Sequence, residues 1–256
     1  MHRDMTHRSG TKGGIYLYAI APREGNGSYS FSGIDGQTVY AIADGDVLAI
    51  VSDVADERMR PERRHLAAHQ QVLRQLMARC TVLPMTFGII AGGRGAIERI
   101  LLRNQEAFVE QLRRVADRFE MGLRVTWDAP NIFEYFVNTH AELRAARDRL
   151  IGAPRQPAQD DKIELGRMFD RILNEDREAC TAKVEKVLSR HCDAIKQNPC
   201  RNEREVMNLA CLVERRAREE FETGVFAAAH LFDHNFAFDY HGPWAPHNFV
   251  EMNLEL

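Results

Sequence analysis

Histidines one helical turn apart are the first residues in this sequence with spacing suited to chemistry. His65 and His69 stand four residues apart, as do His230 and His234. On a helix that spacing could present two imidazoles to one metal ion, but a protein site needs a third and usually a fourth ligand. His69 lies three residues after Leu66 and four before Leu73, beside an apolar stripe. His234 falls within an alternating run, where helical spacing does not apply. Both pairs therefore read better as core or boundary histidines, and no metal site is expected. Gly92-Gly93-Arg94-Gly95 opens a helix and could hold an anion on its amides. It lacks the spacing of a phosphate loop or a dinucleotide fingerprint and reads as a glycine turn. Glu175, Asp176 and Glu178 sit beside Arg171 and Arg177, which reads as solvated ion pairing. There is no Gly-x-Ser-x-Gly elbow, and no cysteine has an evident histidine partner. No catalytic residue and no cofactor-binding residue stands out, so the chain is not expected to be an enzyme.

The composition narrows the classes. Of the 256 residues, 45% are hydrophobic and 28% charged, enough apolar material for a sizeable core in one large domain or two ordinary ones. The formal net charge is -3, and the nearest approach to a basic cluster, Arg58, Arg60, Arg63 and Arg64, is interleaved with Glu57 and Glu62. That pattern suits a solvated helix start better than a phosphate track, so no nucleic acid is expected. Cys80, Cys180, Cys192, Cys200 and Cys211 form no Cys-x-x-Cys pair, which suits reduced thiols in a cytoplasmic protein. No apolar run approaches the roughly 20 residues of a membrane span. Residues 1–14 are polar and read as a flexible leader, and Ala153–Gln159 reads as a polar loop.

Two sets of elements follow the leader. Ile15–Ile20 reads as a buried strand, ending at loop composition around Pro22 and Gly25–Gly27. Thr38–Ala43 and Val47–Ser52 read as a hairpin around Asp44-Gly45. A helix is expected from Pro61 to Arg79 with Leu66, Leu73 and Leu76 on its buried face. Thr81–Ile90 reads as an interrupted strand. A helix with Ile97, Leu101, Phe108, Leu112 and Val115 on one stripe closes a first domain at 15–118. Beyond it, Gly122–Trp127 alternates as a strand. Two helices joined by a polar loop fill Ile132 to His191. Strands at Asp193–Gln197 and Val206–Val213, a helix from Glu214 to Ala229 and a strand over Phe232–Tyr240 complete the order. That order is β-α-β-β-α-β with a helical hairpin inserted at the first helix, a modified ferredoxin-like domain over 119–256. The fold class is thus α+β in two domains, a mixed α/β N-terminal domain and this one.

The segment from Tyr240 to Val250 is the least ordinary. Pro243 and Pro246 exclude a continuing central strand, and Trp244 and Phe249 either pack back on the protein or meet a partner. A C-terminal strap closing the core is the reading preferred here.

At this segment the chain resembles the gas vesicle protein F/L family. Gly242-Pro243-Trp244-Ala245-Pro246-His247-Asn248-Phe249 is similar to the family's Gly-Pro-Trp-Pro-Pro-Tyr-Asn-Phe signature. Val82-Leu83-Pro84-Met85-Thr86-Phe87-Gly88 is similar to its Val-Leu-Pro-x-Arg-Phe-Gly segment, with Thr86 where the family has Arg. Weaker matches at Tyr16–Ala19, Val51–Asp53, Glu164–Arg167 and Asn208–Val213 run in the same order. The resemblance implies two α+β domains, the second a modified ferredoxin-like fold, and no catalytic role. It implies an accessory protein of gas vesicle assembly that binds the hydrophobic major shell protein (GvpA type) and other accessory proteins, chaperone-like or as a minor vesicle component. Pro84, Phe87, Gly88, Gly242, Pro243, Trp244, Pro246, Asn248 and Phe249 become candidate partner-binding or structural residues. Deleting 242–256 is expected to abolish shell-protein binding and leave the first domain folded. The alternative is a small-molecule-binding protein or enzyme on a ferredoxin-like fold, which a closed pocket holding His65 or His69 with carboxylates would favour.

Overall fold

The computed structural model describes residues 13–23, 29, 31–55, 58–152 and 158–252. Most of the expected leader, the loop around Gly25–Gly27 and the loop at 153–157 lie outside these. Gly14, expected in the leader, belongs to a strand. The chain divides into two units, one of residues up to Glu120 together with Pro243 onward, the other Met121–Gly242. The sequence pattern places the C-terminal segment with the second domain, whereas the contacts group it with the first.

The first unit is built on a five-stranded sheet. Strand β1 (Gly14–Pro22) runs at its centre, buried along nearly its whole length. It pairs antiparallel with β3 (Val47–Val54), which pairs in turn with β2 (Tyr40–Asp44). Two-residue strands β4 (Leu83–Pro84) and β5 (Ile90–Ala91) pair with the other edge of β1. The interruption expected in 81–90 is thus two short strands on one neighbour. Pro84 cannot donate to a ladder, and Gly88 turns at φ +94. A register shift between Leu17 and Ala19 bulges β1 at Tyr18.

Helix α1 (Arg63–Met77) covers the sheet, but its buried stripe is not the expected one. His65, His69, Val72, Leu73, Leu76 and Met77 face inward, while Leu66 is 39% exposed. The period is helical, but its first two positions are histidines, which an apolar pattern does not count. The single helix expected after the glycine turn is two, α2 (Arg94–Arg103) and α3 (Gln105–Arg114). Asn104 separates them: its side-chain amide donates to the Ile100 carbonyl at 2.8 Å, a local bond that competes with helix continuation.

The second unit has the sheet order β7-β8-β6-β9, with β6 Arg118–Trp127, β7 Ala194–Asn198, β8 Glu205–Glu214 and β9 Phe236–Trp244. Counted within the unit this is 2-3-1-4, the β-α-β-β-α-β arrangement expected. Three helices, not two, separate β6 from β7: α4 (Ile132–Thr139), α5 (Ala141–Ile151) and α6 (Gln159–Leu188). The extra break is at His140, extended at φ -114, ψ 110 with its ring stacked on Phe136 at 5.2 Å; neither Pro nor Gly marks it. Helix α7 (Arg218–Ala229) connects β8 to β9. Strand β9 starts four residues later than the alternation suggested and continues through Pro243. Residues 230–235 form a turn. β9 is an edge strand, where proline is tolerated.

Candidate functional site

The C-terminal motif is built into the first unit. After β9 the chain makes a single 3-10 turn over His247–Phe249. Ala245, Pro246 and Phe249 are buried, Phe249 at 1% exposure. Asn248 donates its backbone N–H to one carboxylate oxygen of Glu120 at 2.8 Å and its side-chain amide to the other at 2.6 Å. Glu120 is itself buried, so these bonds help to compensate the cost of keeping a carboxyl group out of water. Trp244 is half-buried. Gly242 sits at φ +134, a conformation closed to most side chains, and sets the chain's direction into Pro243.

The second motif, Pro84 to Gly88, forms one wall of an aromatic cluster in the same unit. Tyr16 and Tyr18 lie 4.8 Å apart between ring centroids. Phe87 packs at 5.9 Å from both Tyr16 and His69. The Gly88 N–H donates to the Tyr16 hydroxyl at 3.1 Å. That hydroxyl lies 2.9 Å from His69 Nδ1, the direction of the bond following the histidine tautomer. The Met85 backbone is a second hydrogen-bond partner of the His69 ring. Tyr18 closes the far side, its hydroxyl 2.9 Å from Ser52 Oγ and accepting the Ile34 N–H. Burial, with a smaller contribution from His247, lowers the His69 pKa from 6.5 to about 4. Burial also pushes the Tyr16 and Tyr18 hydroxyls well above their ordinary value. This is a satisfied, neutral core network. Thr86, where relatives are expected to carry Arg, points into solvent beside it.

The structure brings the other chemistry-bearing residues to ordinary places. His65 is buried at 6% exposure, its Nε2 3.1 Å from Asp35 and its Nδ1 3.3 Å from the Arg60 carbonyl. His230 and His234 are exposed, and His234 lies in the turn before β9 rather than on a strand, a correction to its expected place. Arg171 bridges Glu175 and Glu142 at 2.9 and 3.1 Å, while Arg177 turns to the Glu205 and Asn202 carbonyls. Among the described residues no group of three or more His, Cys, Asp or Glu could hold a metal ion. A surface groove of about 290 Å³ between α5 and α6 is lined by Arg149, Asp161, Glu164 and Met168 among others, with no histidine.

Sequence reasoning missed two features. Glu120 is one; a carboxylate inside the run Phe119-Glu120-Met121 signals a buried charge in need of a partner. The other is the exposed apolar pair Phe226 and Leu231, each 56% exposed, which no motif marks.

Two antiparallel α+β units, the second ferredoxin-like, with the distinguishing motifs packed into the first, place the chain in a fold class shared with solved gas vesicle proteins. The crystal structure of GvpF from Anabaena sp. PCC7120 matches with a TM-score of 0.83 at 23% identity, covering 94% of this chain and 99% of that one. GvpF from Microcystis aeruginosa matches with a TM-score of 0.80 at 20% identity, covering 93% and 99%. Residues 14–251 match the family described as gas vesicle synthesis protein GvpL/GvpF, and the chain belongs to that family. Gas vesicle protein F of Nostoc sp. is 25% identical over 244 residues, 94% of this chain and 99% of its own length. Gas vesicle protein F of a Streptomyces species is 27% identical over 217 residues, covering 84% and 89%.

Proposed function

We propose that this chain is an assembly accessory protein of gas vesicles that binds the hydrophobic shell subunit and other accessory proteins. It acts chaperone-like or stays as a minor vesicle component, working in the cytoplasm and at the vesicle rather than as an enzyme. The observation that carries this reading is the family match, which spans both units from residue 14 to 251. The physical logic is that an apolar subunit exposes surface and strand edges before it polymerises, and a partner that covers them prevents aggregation. Among the described residues no helix is long and apolar enough to cross a membrane.

Within this reading the family-marking residues divide. Pro84, Pro246 and Phe249 are buried, whereas Phe87, Gly242, Pro243, Trp244 and Asn248 are half-buried and Gly88 is exposed. Co-expression with the major shell protein, followed by pull-down and a solubility assay, tests the function. Specific capture with more shell protein in the soluble fraction is expected. No capture together with unchanged solubility overturns direct binding.

A further inference from the structure

Strand β9 ends the sheet of the second unit. It hydrogen-bonds to β6 on one side, and no strand of the described residues pairs with its other edge. From Phe236 to Tyr240 that edge is five residues long and free of proline. Natural proteins blunt such edges, because a row of unpaired N–H and C=O groups recruits another strand. Here the edge is bordered by apolar surface instead. Phe236, Phe238 and Tyr240 alternate on the half-buried face, with Phe232 packed against the first two at 4.9 and 5.3 Å. Phe226 of α7 stands 6.4 Å from Tyr240, and it and Leu231 keep 56% of their surface in solvent. An isolated exposed phenylalanine needs no account, but one beside an open edge and a row of aromatics does.

The charge around this surface is mainly negative, with Arg124 and Arg218 as nearby basic residues. From 219 to 240 the sequence holds Glu219, Glu220, Glu222, Asp233 and Asp239 and neither Lys nor Arg. Asp239 is answered by Arg124 at 2.6 Å, and Glu222 accepts the Tyr240 hydroxyl. Glu219 and Asp233 are exposed and have no ion-pair partner among the described residues. An occupant that complements the site therefore brings backbone pairing, apolar side chains toward α7 and positive charge.

We propose that the outer edge of β9 from Phe236 to Tyr240, with Phe226 and the turn that carries Leu231 next to it, is a strand-addition site for an extended partner segment that is apolar on one face and carries Lys or Arg. The mode is β-augmentation, in which main-chain hydrogen bonds supply affinity and side-chain pockets supply selectivity. The site deepens the proposed function and rests on it for assigning the segment to the shell subunit; its chemistry stands on the edge and its surroundings alone.

The test uses the full chain and a fluorescein-labelled nine-residue peptide of alternating lysine and valine, read by fluorescence anisotropy. Three comparisons accompany it: the glutamate–valine counterpart, the lysine–valine peptide methylated on every backbone nitrogen, and the double variant Phe226→Ser/Leu231→Ser. Both substituted residues are largely exposed, so circular dichroism should show the variant folded. Binding of the lysine–valine peptide is expected, weakened at least tenfold in each of the three comparisons. Equal binding of the methylated peptide reduces the site to an apolar patch and overturns strand addition. Undiminished binding by the double variant overturns the location. Wild-type self-association that the double variant abolishes gives the edge to a second copy and overturns the partner assignment. In co-expression, peptide binding without shell-protein capture upholds the site and removes the proposed function. Equal shell-protein capture by wild type and double variant does the reverse.

Discussion

Asn248 and Glu120, 128 residues apart in sequence, meet through two hydrogen bonds of 2.8 and 2.6 Å to the two oxygens of one buried carboxylate. The arrangement explains why an asparagine belongs at this place in the closing motif. Its backbone and side-chain donors diverge by the spacing of a carboxylate's oxygens, and alanine keeps only the first.

Asn248→Ala should therefore destabilise the first unit by about 1.5–3 kcal/mol, the range for a lost hydrogen bond to a charged group with the acceptor left buried. Asn248→Asp should cost more, because it sets a second carboxylate against the first. Urea unfolding at neutral pH measures both. If the aspartate variant is as stable as the wild type, the contact is not formed in solution.

Truncation before Pro243 tests the same clasp on a larger scale. From sequence alone the segment reads as a strap closing the core of the second domain, and its loss as leaving the first domain folded. The structure buries Ala245, Pro246 and Phe249 in the first unit, so truncation should lower that unit's stability. Removing the Phe249 side chain alone is expected to cost about 3–5 kcal/mol. Thermal melts of the truncated chain and of Phe249→Ala should both shift downward. A truncated chain that melts like the full one refutes the packing role.

Gly242→Ala should be disproportionately damaging for a one-carbon change. At φ +134 the residue lies where side-chain-bearing residues are strained, by about 1–3 kcal/mol. It precedes Pro243, whose fixed φ leaves the chain little freedom to absorb the change. Chemical denaturation of the variant, beside Ala237→Gly on the same strand as a control, separates the turn effect from a general weakening of β9.

The element order was legible in the sequence because it rests on strong periodic signals: the apolar run of β1, the Asp-Gly hairpin and the alternation of β6. The helix misplacements share one physical cause, polar side chains used in or against the interior. His65 and His69 displace Leu66 from the buried face of α1, and Asn104 divides a helix through a side-chain bond to its own backbone. His140 breaks another without proline or glycine. The aromatics from Phe232 suggest one long strand, yet Phe232 belongs to a turn and only folds back onto Phe236 and Phe238. The clasp was half legible, since the motif named Asn248 and Phe249 but nothing local points from them to Glu120.

The last prediction concerns His69 and acid. In the folded protein the buried ring has Tyr16 at its Nδ1 and the Met85 backbone as a second partner, and a neutral ring satisfies both contacts. Its folded pKa of about 4 lies below the ordinary 6.5. A histidine lowered in this way is held neutral by the fold, whereas the unfolded chain takes up a proton from pH 6.5 downward. Its contribution to stability is thus fully present above pH 6.5. It is lost as the pH falls toward 4, an overall change on the order of 3 kcal/mol at 1.36 kcal/mol per unit. His69→Gln keeps one acceptor and one donor but cannot titrate. Carboxylates contribute a background common to both proteins, so the informative quantity is the difference between wild type and His69→Gln. Unfolding free energies at pH 7 and pH 4.5 should show the wild type losing about 1–3 kcal/mol more than the variant. Parallel losses would mean that His69 is hydrated and titrates normally, and the sealed network around Tyr16 would have to be abandoned.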